Sequence, residues 1–215
     1  MARPSFLTPL ARLRSAWVPL AGAGFMAGLI LAVGPVAGQM RAAPPATEAQ
    51  LAESRAAFGQ LATVLQHPRC LNCHTNTDFP RQGDDRHRHT MNVRRGPEDR
   101  GVPGMLCSNC HQRANQVASG VPGADEPTGW RLAPLRMGWE GLSVGGLCRA
   151  LLDPARGGMK PAQFEEHHHT HLVEWAWAPG RNAQGEERAK PPLSHAQFIE
   201  ITKRWVENGA ACPAG

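Results

Sequence analysis

No stretch of this chain long enough to be a strand alternates apolar and polar residues, which argues against a sheet-based core. Net charge is also scarce. The chain has 23 Lys and Arg against 18 Asp and Glu, but Arg3, Arg12 and Arg14 lie before Gly38 and no acidic residue does. Beyond Gly38, twenty basic residues face eighteen acidic ones, a balance of +2 that gives no reason to expect a nucleic-acid partner. Cysteine is limited to six residues, and in an oxidising compartment each must be accounted for.

The N-terminus lacks charge from Ser15 to Gly38, a Gly/Ala/Leu-rich run that follows the three arginines. Val36-Ala37-Gly38 offers the small residues a signal peptidase requires, with a cut before Gln39. The same run is long enough to span a bilayer as an uncleaved anchor, although its Gly and Pro dilute the hydrophobicity and favour cleavage. The expected organisation is a signal peptide or anchor over 1–38, a Pro/Ala-rich linker over 39–46 and a folded domain over 47–215. Either way that domain is expected in the periplasm, touching a membrane only through its N-terminal segment.

Helix signals dominate the rest. Thr47 and Gln50 have capping-box spacing ahead of Leu51, Phe58, Leu61 and Leu65, which predicts a helix from Thr47 to Gln66, stopped by His67-Pro68. Thr75 to Gly104 is Gly-, Pro-, Asp- and Arg-rich and reads as a long loop, a length that needs a reason to be ordered. Asn115 to Gly141 reads as loop with short helical turns. Further helices are expected over Ser143 to Leu152 and Pro161 to Trp177, the latter with Phe164, His168, Leu172 and Trp175 on one face. The last helix has a Ser194/Gln197 capping pair, a stripe of Phe198, Ile201, Trp205 and Val206, and an Asn208-Gly209 stop.

Four of the six cysteines fall in a repeated motif, Cys70-Leu71-Asn72-Cys73-His74 and Cys107-Ser108-Asn109-Cys110-His111. On a tight turn entering a helix, the two thiols of CxxCH can each form a thioether to a haem vinyl group while the histidine reaches the iron. The expectation is two covalently held haem c groups, attached at Cys70, Cys73, Cys107 and Cys110, with His74 and His111 as proximal ligands. Haem propionates would bring the small positive charge near neutrality. A zinc site is the competing reading, four thiolates from two CxxC pairs. Against it stand the histidine after each pair, the thirty-three residues between Cys73 and Cys107, and the export signal. Cys148 and Cys212 remain as an even pair, and a disulfide between them is expected.

Each iron of an electron carrier needs a sixth ligand, His or Met, and thioether raises the potential relative to imidazole. His89 or Met91 is expected at the first haem, with His87 a further neighbour, and Met137 at the second. Each of these also has an ordinary reading, as solvated basic loop or gap filler. His167 and His171, at i and i+4, are placed to bind a transition metal from one helical face, and His168 to meet a haem from the apolar face; solvated histidines are the ordinary alternative. Arg81, Arg86, Arg88, Arg94 and Arg95 form a basic stretch suited to solubility, propionate pairing or docking of an acidic partner. Trp130, Trp139, Trp175, Trp177 and Trp205 are expected on haem edges or in the core.

The paired CxxCH motifs resemble those of c-type cytochromes. The run His89-Thr90-Met91-Asn92-Val93-Arg94-Arg95-Gly96, then Gly101-Val102-Pro103-Gly104-Met105 and Leu132-Ala133-Pro134, resembles a family of small exported dihaem proteins, some labelled subunits of isoquinoline 1-oxidoreductase, a molybdenum hydroxylase. The resemblance covers most of the chain beyond the export segment. It implies a mainly α, cytochrome-like fold with long haem-contacting loops and little or no sheet. It also implies an electron-accepting role beside a dehydrogenase or another cytochrome. A dihaem peroxidase with one open axial position is the enzymatic alternative, though those enzymes are larger and space their motifs through two domains. A metal-binding sensor or assembly module built on the histidine cluster is a third.

Overall fold

The first helix begins where the capping signal places it. In the computed structural model, which describes residues 44–215 apart from Glu126, Thr128 and Gly158, α1 spans Glu48–Leu65. The Thr47 hydroxyl accepts from Gln50 N at 3.3 Å and Gln50 Oε1 accepts from Thr47 N at 2.8 Å, satisfying two donors that a helix start leaves free. The export segment and residues 39–43 of the expected linker lie outside the described residues. After α1 the chain turns at Gln66, and α2 (Pro68–Leu71) starts with the His67 ring accepting from Arg69 N at 3.2 Å. Proline at N1 suits this restart because its missing N–H has no partner there anyway.

Two further helices complete the core. The Ser143 hydroxyl caps α3 (Val144–Leu152) by accepting from Gly146 N at 3.1 Å. Ser194 and Gln197 form the capping box that opens the last helix, His195–Glu207. That helix packs chiefly against α1, and burial of Phe58, Leu61, Leu147, Leu151, Phe198 and Trp205 joins α1, α3 and the last helix in one apolar cluster. Ser54, fully buried on α1, donates to Trp205 O and accepts from Ala211 N, both at 2.8 Å. Cys148 on α3 is joined to Cys212 by a disulfide, their Cα atoms 5.5 Å apart. Because Ser194 holds an orphan donor of the last helix, Ser194→Ala is expected to cost about 1 kcal/mol in urea unfolding.

The segment from Pro161 to Trp177 departs from the single helix expected there. It is a 3-10 turn, α4 (Phe164–His168), α5 (His171–Glu174) and a second 3-10 turn over Trp175–Trp177. The break has a local cause: the Thr170 hydroxyl donates to His167 O at 2.8 Å, competing with the helical ladder, and Thr170 takes the extended N-cap conformation of α5. With this numbering the last helix, His195–Glu207, is α6.

Between the motifs the long loop contains two minimal hairpins. β1 (Arg81–Gln82) pairs antiparallel with β2 (His87–Arg88), and β3 (Gly101–Val102) with β4 (Met105–Leu106). Gly96 lies so close to the Gly101 carbonyl that a side chain there would collide with it, and its φ of 64° is one that glycine adopts freely. The fold is mainly helical with two two-stranded sheets, and Pro44–Gly215 forms one unit. Among the described residues no helix is long and apolar enough to cross a membrane.

Candidate functional site

Both CxxCH segments fold into the same turn. In the first, Cys73 N and His74 N donate to Cys70 O at 3.2 and 3.0 Å; in the second, Cys110 N and His111 N donate to Cys107 O at 3.2 and 2.9 Å. Each turn puts two thiols and an imidazole on one short helical bend, and all four thiols are free of disulfides. Each histidine is then fixed by a main-chain carbonyl and a tryptophan from further along the chain. His74 Nδ1 lies 3.0 Å from Met137 O and its ring stacks on Trp139 with centroids 3.4 Å apart. His111 Nδ1 lies 2.8 Å from Pro122 O and its ring stacks on Trp130 at 4.1 Å.

Protonation follows from these surroundings. Burial lowers the His74 pKa to about 4, against the opposing pull of the Met137 carbonyl, and burial likewise lowers that of His111. Both rings are therefore neutral near pH 7. Since a carbonyl only accepts, the proton must sit on Nδ1, leaving the Nε2 lone pair for a metal ion. A carbonyl partner on the other ring nitrogen is the usual way a protein orients a metal-binding imidazole.

The two turns differ in setting. Cys70, Cys73 and His74 line a cavity with about 1380 Å³ of empty space, its open mouth included. Its walls are apolar side chains from α1, α4 and α6, among them Phe58, Leu61, Phe164, Phe198 and Trp205. Burial pushes the Cys70 thiol up to about 12, with Cys73 adding to the rise, and the Cys73 thiol up to about 11. At the second turn Cys107 is buried, His111 half-buried and Cys110 exposed. The turns are neighbours, because Cys73 packs against the small cluster of Cys107, Ala124, Trp130 and Leu132.

The expected distal ligands are placed the other way round. Met137, expected at the second motif, supplies the carbonyl that holds His74 of the first, and it lines the same cavity. His89, expected at the first, has its ring centre 6.3 Å from that of His111 in the second. The cause is the β1–β2 hairpin, which reverses the chain after the first motif and carries His89 across to the next turn. Met91 is 69% exposed, with a left-handed φ of 63°. His87 pairs with Asp85, Nδ1 to Oδ1 at 2.6 Å.

The histidine cluster is corrected as well. His167 and His171 fall in different helices, so they do not share a helical face; His171 is exposed and His167 half-buried at the cavity. His168 is buried, its Nδ1 3.0 Å from Thr202 Oγ1. Thr202 donates its only hydroxyl proton to Phe198 O at 2.9 Å, so the His168 ring must donate from Nδ1. Burial, with His167, His195 and His169 nearby, lowers the His168 pKa from 6.5 to about 3. Because the unfolded chain protonates His168 first, this residue's stabilising contribution is complete above about pH 6.5 and is lost as pH falls toward 3. His168→Leu is expected to flatten the loss of stability between pH 6.5 and 4, read by urea unfolding at stepped pH.

Four of the five arginines of the basic stretch prove to be ion-paired. Glu140 accepts from Arg81 Nε at 2.7 Å, from Arg86, and from Thr75 Oγ1 at 3.0 Å, and Arg94 pairs with Asp78 at 2.6 Å. Arg88 stacks over Phe79 at 4.5 Å. Arg95 is buried, reaching Asp99 at 2.7 Å and the carbonyls of Thr75, Thr77 and Ala133. Sequence reading missed Glu140 and the bracing role of Arg95; the i,i+4 Arg95/Asp99 spacing was the one local hint.

These residues fit covalently attached haem. Two free thiols and a neutral imidazole lie on each turn, the first beside an apolar cavity. Among the described residues the Trp130 indole N–H in that cavity is buried without a partner, a donor suited to the carboxylates of such a group. A four-thiolate zinc site fits poorly, because the four cysteines do not gather into one group. Among the described residues no group of three or more His, Cys, Asp or Glu converges on a point. No protein-family model, curated protein or solved structure matches the chain.

Proposed function

We propose that this chain is a periplasmic electron-transfer protein of the c-type cytochrome class. It carries two covalently attached haems and passes electrons from a dehydrogenase to another cytochrome or a respiratory acceptor. The observation that carries the reading is the pair of matching CxxCH turns, each with its histidine neutral, donated through Nδ1 to a carbonyl and stacked on a tryptophan. When bound, haem supplies a reversible one-electron iron couple. The chain's own residues do the rest. Cys70, Cys73, Cys107 and Cys110 would anchor the haems, the Met137 and Pro122 carbonyls hold the His74 and His111 imidazoles that would bind iron, and the walls from α1, α4 and α6 would exclude water around the first site. The second turn, with Cys110 exposed, lies where a redox partner can approach. The shared packing of Cys73 and the Cys107 cluster favours internal transfer between two close centres.

The test is haem stoichiometry in protein exported to a periplasm with cytochrome c maturation. Two haems per chain, resistant to acid-acetone extraction, are expected, with one lost in the Cys70→Ala/Cys73→Ala variant and the other in Cys107→Ala/Cys110→Ala. Zinc in place of haem, or extractable haem, would overturn the reading. A high-spin centre that turns over peroxide would replace the carrier with the peroxidase alternative.

A further inference from the structure

We infer that His89 is the sixth ligand of the iron held at the second motif, giving that haem bis-imidazole coordination with His111. The inference rests on the two-haem reading above and goes beyond it by naming a ligand. Imidazole–metal bonds of about 2.0 Å, plus the step from nitrogen to ring centre on each side, place two imidazoles on opposite faces of one ion with centres about 6 Å apart. The His89 and His111 ring centres are 6.3 Å apart. Both rings also have the same nitrogen occupied: His89 Nδ1 lies 2.9 Å from Thr90 O, and His111 Nδ1 lies 2.8 Å from Pro122 O. Carbonyls accept only, so each ring donates from Nδ1, and Nε2 is the nitrogen through which each imidazole would bind iron.

The His89 loop is held in place although the residue is only half-buried. His89 N donates to Pro80 O at 3.0 Å, and Gln82 Oε1 accepts from Thr90 N at 3.1 Å and from Thr90 Oγ1 at 3.2 Å. The next two residues, Met91 and Asn92, have φ of 63° and 54°, a left-handed backbone that non-glycine residues keep only where their surroundings impose it. That turn follows His89 directly and sends Met91 to solvent, so the methionine beside it does not compete for the same iron. Met137, the other sequence candidate, has its carbonyl on His74 and lines the cavity of the first motif.

The experiment uses the exported full-length protein and reads spin state by absorption and electron paramagnetic resonance. His89→Ala is expected to retain both haems, because the thioethers and His111 remain, and to convert one from low-spin to a high-spin, carbon-monoxide-binding form. Added imidazole should restore the low-spin spectrum. His89→Met should stay six-coordinate with a higher midpoint potential. The Cys70→Ala/Cys73→Ala chain, carrying only the second haem, should show the same response to His89→Ala, and Met137→Ala should leave that haem low-spin. If both haems stay low-spin and inert to carbon monoxide in His89→Ala, the assignment is wrong while the two-haem reading stands. If the parent protein holds no thioether-linked haem, that reading itself fails.

Discussion

Replacing Cys148 and Cys212 together by alanine is expected to cost roughly 4 kcal/mol and lower the melting temperature by roughly 10 °C. The crosslink closes a loop with a sequence separation of 64, so its removal returns a large share of chain freedom to the unfolded state. Against a total stability of about 5–15 kcal/mol for a domain of this kind, that is a large fraction. The bond's position extends the effect to the cavity. Cys148 lies in α3 beside Leu151, and Cys212 follows α6, which contributes Trp205; both side chains are cavity walls. Thermal unfolding of the disulfide-bonded protein and the double variant, prepared in the same way, measures the difference. A loss below about 1 kcal/mol would mean that packing of Trp205 and the Ser54 hydrogen bonds holds the C-terminal segment without the crosslink.

What the sequence made legible follows from how local each signal is. Thr47/Gln50 and Ser194/Gln197 mark helix starts because a capping box is satisfied within four residues. The CxxCH turns are equally local, two donors reaching back to one carbonyl. The mainly helical class followed from the same signals. Partnership between distant segments was not legible. Met137 meets His74 across 63 positions, and whether it meets the first or the second motif depends on how the intervening chain folds back. His89 crosses to His111 because a hairpin of two residue pairs reverses the loop, and strands that short have no periodicity to read. The break at Thr170 was accessible in principle, since threonine inside a predicted helix competes for its carbonyls, but the apolar face running through it from Phe164 to Trp175 outweighed that signal. Arg95 looked like one of five basic loop residues; only its three carbonyl partners, from segments well separated along the chain, distinguish it from the others.

Arg95 is also where the second large effect is expected. Its guanidinium bridges the segment after the first motif, through the Thr75 and Thr77 carbonyls, to Asp99 ahead of the second motif and to Ala133 ahead of Met137. Asp99 O in turn accepts from Leu132 N at 2.8 Å, closing the connection between the loops that carry both sites. A guanidinium suits this position because its planar fork serves several acceptors at once. Arg95→Met keeps most of the apolar stem but leaves a poorly solvated carboxylate and three carbonyls without their donor, an expected loss of about 3–5 kcal/mol. Arg95→Lys retains the charge without the fork and should fall between. The measurement is urea unfolding paired with amide exchange. Protection is expected to fall at Leu132 and Gly101, whose amides lie on the braced loops, while α1 and α6 keep theirs. Uniform loss of protection across α1 and α6 would make Arg95 a general core residue. A loss below about 1 kcal/mol would show that the loops are ordered without it, leaving the hairpins and the Glu140 network to position His89.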